Sequence, residues 1–159
     1  MRSKKSLRYP TIEQGKVWEK RREGSQPSDI ADEMGVSRPY VSQAQRIAEE
    51  RIEDLMKHTA KVLHTEIQHI STQYGIAVGY CHAFDTMVFI TYSSAKGIQT
   101  WYNHKGDCGR CDKHEECEKI IDTLSEEWGV SLADSGTPSE KGSRLFNRIM
   151  EILGWDIEV

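Results

Sequence analysis

The 159-residue sequence predicts a mainly α-helical α+β fold carrying a small β-hairpin. Three observations predict it. Helix-capping signals and helix-tolerated prolines punctuate the first fifty residues. No Pro or Gly occurs between Tyr40 and Tyr74. Two β-branched and aromatic runs, Thr86 to Tyr92 and Ile98 to Asn103, flank a loop ending in Gly97. Four parts are expected: a basic arm over 1–10, a three-helix unit over 11–52, a long connecting and dimerising helix over 53–74, and a C-terminal half over 75–159.

In the first part of the chain, Thr11-Ile12-Glu13-Gln14 has the form of a capping box, in which Thr11 accepts from the third helical amide and Gln14 reaches back. The helix it opens should run to about Glu23, where Gly24 stops it. Ser25-Gln26-Pro27-Ser28 starts a second helix, with Pro27 tolerated because first-turn amides lack partners anyway. That helix is short and ends at Gly35, a residue suited to a left-handed turn. Ser37 caps the third helix, with Pro39 in its first turn.

Apolar residues interlock across this turn. Ile30, Ala31 and Met34 face inward, Val36 plugs the turn, and Val41 and Ala44 face inward from the next helix. The small Ala31, then Gly35, then the β-branched Val41 occupy the positions at which a steep helix crossing needs a small residue, a turn and a core residue. The stretch Ile30 to Ser42 therefore resembles the helix-turn-helix family. With the preceding segment Val17 to Ser25 it looks most like the LuxR, sigma-factor region 4 and archaeal Tfx-type subgroup. The resemblance covers 11–52 and implies that the third helix enters the major groove of double-stranded DNA. Arg38, Tyr40, Ser42, Gln43 and Arg46 are left outside the packing. Arg38 and Arg46 suit guanine or phosphate, Gln43 adenine, Ser42 either, and Tyr40 a phosphate. Ser28, at the start of the second helix, would sit against the DNA backbone.

Charge is divided in the same way. The net charge is −4, but residues 1–51 carry +3 and residues 52–159 carry −7. Arg2, Lys4, Lys5 and Arg8 form a basic start that could touch phosphate or a minor groove. No apolar run approaches the roughly 20 residues needed to cross a bilayer, and no apolar stretch follows Met1 as in a secretory signal. A cytoplasmic protein without membrane contact is expected.

Between Ile52 and Tyr74, apolar residues recur mostly at spacings of three and four, with Ile52, Leu63 and Tyr74 eleven apart. An unbroken helix from Tyr40 to Tyr74 would be about 50 Å long. Its apolar stripe needs a partner, and a symmetric homodimer is expected because helix-turn-helix proteins usually bind paired half-sites. The alternative is a helix broken near His58-Thr59 and folded back.

After the hairpin comes Cys108-x2-Cys111-x5-Cys117, with His104 upstream and His114 inside. Two cysteines spaced by two residues around Gly109 can aim sulfur at one ion, and Cys117 would enter from the next helix. A zinc site of His104, Cys108, Cys111 and Cys117 is expected, closed and structural. Cys81 could replace His104. An iron–sulfur cluster is the alternative, since three close cysteines plus a distant one resemble the ligand set of oxygen-sensing fumarate/nitrate-type regulators. Beyond the cluster, a helix to about Trp128, a short strand at Gly129 to Leu132 and a last helix opened by Ser139 or Ser143 complete the chain.

These features point to a dimeric, sequence-specific transcription regulator rather than an enzyme. A dithiol redox enzyme would need a strand before its CxxC and a βαβ pattern around it, which this sequence lacks. An adaptor that binds protein through the acidic half is the other alternative.

Overall fold

The computed structural model describes residues 6–104 and 106–159; Arg2, Lys4 and Lys5 of the basic arm lie outside them. Five helices and a four-stranded antiparallel sheet form two compact units, the first ending at Trp101 and the second beginning at Tyr102. The chain is thus α+β, with its two compact units divided between Trp101 and Tyr102.

The first unit opens with α1 (Ile12–Arg22), α2 (Pro27–Met34) and α3 (Arg38–Val62). Each start follows from local hydrogen bonding. The Gln14 amide donates to Thr11 Oγ1 at 3.3 Å and the Thr11 amide to Gln14 Oε1 at 3.0 Å, closing the capping box. Gly35, at φ 67°, turns the chain out of α2, and Ser37 Oγ accepts the Tyr40 amide at 3.2 Å to open α3. Val17, Ile30, Ala31, Val41 and Ala44 form one buried cluster, with Met34 and Val36 packed against it.

The long helix is shorter than expected. α3 ends at Val62, about 37 Å from its start at 1.5 Å per residue. His64 at φ 50° reverses the chain, and residues 65–71 form strand β1 (Thr65–Ser71). The expected helix over 53–74 therefore holds only to Val62. Its apolar stripe, Ile52, Leu55, Met56 and Ala60, is buried within the chain, where α3 packs on α1, α2 and the sheet. That stripe no longer requires a second copy.

A β-bulge explains the misleading period. Ile67 pairs with Gly79 and His69 with Val78, so Gln68 is the extra residue. Ile70 pairs with Ala77, two positions from Gly79, which puts Ile67 and Ile70 on one face although they are three apart in sequence. Three-residue spacing of apolar residues then imitates a helix.

The sheet is a meander in the order β1, β2 (Ile76–Cys81), β3 (Thr86–Ser93), β4 (Gly97–Tyr102). The expected hairpin corresponds to β3 and β4 within one residue, but β1 and β2 were not anticipated. In β2, Ile76, Ala77, Val78, Gly79 and Cys81 are all buried, so the alternation that marks a half-exposed strand is missing.

The second unit contains α4 (His114–Trp128) packed on α5 (Pro138–Leu153). Ile121 and Leu124 from α4 and Leu145, Phe146, Ile149 and Met150 from α5 are buried. The expected strand at Gly129 to Leu132 is not formed. Gly129 adopts φ 62°, and the Val130 amide reaches back to the Ser125 carbonyl at 2.9 Å, completing the end of α4. Thr137, not Ser139 or Ser143, opens α5 through a capping box with Glu140. Among the described residues no helix is long and apolar enough to cross a membrane.

Candidate nucleic-acid interface and cysteine loop

The first half of α3 separates its side chains cleanly. Val41, Ala44 and Ala48 are buried, whereas Arg38, Tyr40, Ser42, Gln43 and Arg46 are exposed. These five expected residues are thus all exposed along the first turns of one helix. Arg46 Nη1 donates to Glu50 Oε1 at 3.0 Å, an exposed pair one helical turn apart and therefore weak enough to exchange for another anion. Ser28 lies in the first turn of α2 and is half-buried. Arg8 is exposed; beside it the Tyr9 ring lies 6.3 Å from that of Tyr92, and the Tyr9 carbonyl accepts from Arg51 Nη1 at 3.3 Å.

A polar frame not anticipated from sequence holds these helices. Arg21 Nε donates to Gln45 Oε1 at 3.1 Å and its Nη1 to the Ser25 carbonyl at 2.8 Å, tying the end of α1 to α3 and to the turn before α2. Arg51 Nη1 donates to Gln14 Oε1 at 3.0 Å, tying the start of α1 to α3. Lys20 meets Glu33 at 2.7 Å. In sequence these are ordinary charged residues on helix surfaces, with no spacing that marks their partners.

Glu49 belongs to the same region. Burial pushes its carboxyl above the ordinary value, while the Gln45 hydrogen bond and the Arg21 guanidinium act the other way. The folded chain therefore binds this proton more tightly than the unfolded chain, and Glu49 costs stability once the pH rises above the ordinary carboxylate range. Glu49→Gln is expected to raise the melting temperature at neutral pH. Thermal melts should show the gain vanish well below about pH 4, where the unfolded carboxyl is also protonated.

The cysteine loop lies in the second unit. Cys108 is half-buried, Cys111 exposed and Cys117 half-buried, all as free thiols. Successive turns shape the loop: the Arg110 amide donates to Asp107 at 3.2 Å, that of His114 to Cys111 at 3.3 Å, and that of Cys117 to Lys113 at 2.9 Å. Burial first, and then the neighbouring Cys111 and Cys108 thiols, push the Cys117 thiol up. Among the described residues, no three His, Cys, Asp or Glu side chains stand close enough to hold a metal ion as they lie.

The two histidines differ. His104 is exposed; its Nδ1 donates to the Tyr102 carbonyl at 2.9 Å, and its own carbonyl accepts from Ser139 Oγ at 2.5 Å. His114 Nδ1 donates to the Cys108 carbonyl at 2.8 Å, and its Nε2 lies 3.8 Å from Glu118 Oε1. Cys81 is engaged elsewhere: it is buried in β2, and its thiol donates to the Leu63 carbonyl at 3.2 Å.

Models of known protein families, curated protein sequences and solved structures were compared with the chain, and none matches.

Proposed function

We propose that the chain is a sequence-specific DNA-binding regulator that reads the major groove with the first half of α3. The observation that carries this reading is the exposed row Arg38, Tyr40, Ser42, Gln43 and Arg46, backed by Val41 and Ala44 in the cluster shared with α1 and α2. This set offers bidentate donors for guanine, an amide for adenine and hydroxyls for phosphate on a helix packed into a buried cluster. Ser28 and the first turn of α2 would meet the backbone. Arg21, Gln45, Gln14 and Arg51 position the reading helix without touching DNA. A symmetric pair of chains would read two half-sites roughly 34 Å apart, one helical turn of DNA.

Selection of duplexes from a random-sequence pool with the full chain tests this. A shared sequence should be enriched. On the enriched duplex, an Arg38→Ala/Arg46→Ala variant should lose at least about 30-fold in affinity, as expected when two arginine contacts worth roughly 1–3 kcal/mol each disappear. If both contacts are to phosphate, the salt slope should become shallower by about 2. No enrichment, or unchanged binding by the double variant with its fold intact, would remove the proposal.

A further inference from the structure

We propose that the second unit binds one tetrahedral zinc ion through Cys108, Cys111, His114 and Cys117, with His114 rather than His104 as the nitrogen ligand. This is independent of the DNA reading, because every ligand lies in the second unit.

The four residues recur at every third position, 108, 111, 114 and 117. Such a period brings side chains to one side only where the backbone turns about once per three residues. It does so here: Arg110 bonds back to Asp107, and His114 bonds back to Cys111, each across three residues. The chain then enters α4, where His114 and Cys117 are neighbours on one helical face.

The His114 ring is already prepared for an ion. A carbonyl can only accept, so the hydrogen bond to Cys108 places the ring proton on Nδ1 and leaves the Nε2 lone pair available. Metal-bound histidines are commonly oriented in this way, with the second nitrogen donating to a carbonyl or carboxylate. Here the carbonyl belongs to Cys108, itself a proposed ligand, so one bond sets the ring against the loop. The contact that Nε2 would exchange is weak, at 3.8 Å from Glu118, and Glu118 keeps Lys141 Nζ at 3.2 Å. His104 is fastened to Tyr102 and Ser139 instead. Among the described residues no hydrogen bond joins it to the cysteines.

The side chains do not converge as they lie, so binding requires the exposed Cys111 side chain to rearrange. Binding would release three thiol protons to solvent and replace them with metal–sulfur bonds, so affinity should weaken as the pH is lowered. With four protein ligands and no open position, the ion would be structural.

Titration of the full reduced chain with Co²⁺ alone tests the site. One ion per chain should give the visible bands of tetrahedral cobalt and thiolate-to-cobalt charge transfer. His114→Ala should weaken binding by more than about 10-fold, the smallest loss usual even for a residue that only supports a ligand. His104→Ala should leave it unchanged. His114→Cys should restore affinity and strengthen the charge-transfer band, which separates a lost ligand from a lost fold. Absence of the tetrahedral bands in the unaltered chain would overturn the proposal. So would loss in His104→Ala with His114→Ala unaffected, or iron with inorganic sulfide in anaerobically purified protein.

Discussion

Gly79→Ala is expected to remove a large share of the stability of the first unit. A Cβ at this position would lie 2.3 Å from the Glu66 carbonyl oxygen, 2.8 Å from Thr65 Cγ2 and 2.9 Å from the Glu66 carbonyl carbon. Two of these atoms are backbone of the adjacent, hydrogen-bonded strand. No side-chain rotation relieves them, so β1 must move away from β2. Gly79 pairs with Ile67, the last residue before the register shift, and the bulge there crowds β1 against this one position. Overpacking a buried site costs about 1–3 kcal/mol and occasionally more, and a clash with fixed backbone belongs at the upper end. Against a total stability of roughly 5–15 kcal/mol, that is a large share. Urea titration followed by far-ultraviolet circular dichroism would measure it. Gly35→Ala supplies the contrast in the same unit. Its Cβ would meet nothing within 4 Å, and the loss should be only the roughly 1–2 kcal/mol of a left-handed alanine at φ 67°. Equal effects of the two substitutions would contradict the crowding argument.

The same bulge marks the limit of what the sequence discloses. The start of α1, the turn between α2 and α3, and the start of α3 were legible because their determinants act over three or four residues: Thr11 with Gln14, Gly35 by its φ, and Ser37 with Tyr40. The β3–β4 hairpin was legible for a similar reason, a β-rich run on each side of a loop ending in Gly97. β1 was not, because the bulge converts a strand's period of two into a local spacing of three. β2 was not, because burial of nearly every residue erases its pattern. Both failures arise from pairing and burial that no local spacing encodes.

The candidate sites divide along the same line. Once Val41 and Ala44 are recognised as core, the helical period alone places Arg38, Tyr40, Ser42, Gln43 and Arg46 outside. The cysteine spacing likewise brings out Cys108, Cys111 and Cys117. The every-third spacing of 108, 111, 114 and 117 was there to be read, but the ring orientations, which a carbonyl at Tyr102 or at Cys108 determines, were not. Arg21 and Arg51 were missed because their acceptors, Gln45 and Gln14, are 24 and 37 residues away.

Trp18→Ala should cost about 3–5 kcal/mol, the range for truncating a large buried aromatic side chain. Trp18 is 2% exposed and joins the helices to the sheet. Its Nε1 donates to the Thr72 carbonyl at 2.9 Å, in the turn between β1 and β2, and its ring meets Tyr92 edge-on at 5.1 Å. Gly75 lies against the same ring, where a Cβ would approach to 2.9 Å. Trp18→Phe keeps much of the ring contact but loses the indole donor, so it should cost about 1 kcal/mol for the hydrogen bond plus the smaller ring's lost packing. The pair of variants separates packing from hydrogen bonding. It also tests whether α1 to α3 can unfold apart from the sheet. α3 packs on α1, α2 and β1 to β3 at once, so loosening α1 should lower one shared transition rather than split it. Hydrogen exchange of the α1 to α3 amides and of the β2 and β3 amides reports the two parts separately, and both should lose protection together in Trp18→Ala. Earlier loss of protection in α1 to α3 alone would mean that these helices unfold apart from the sheet.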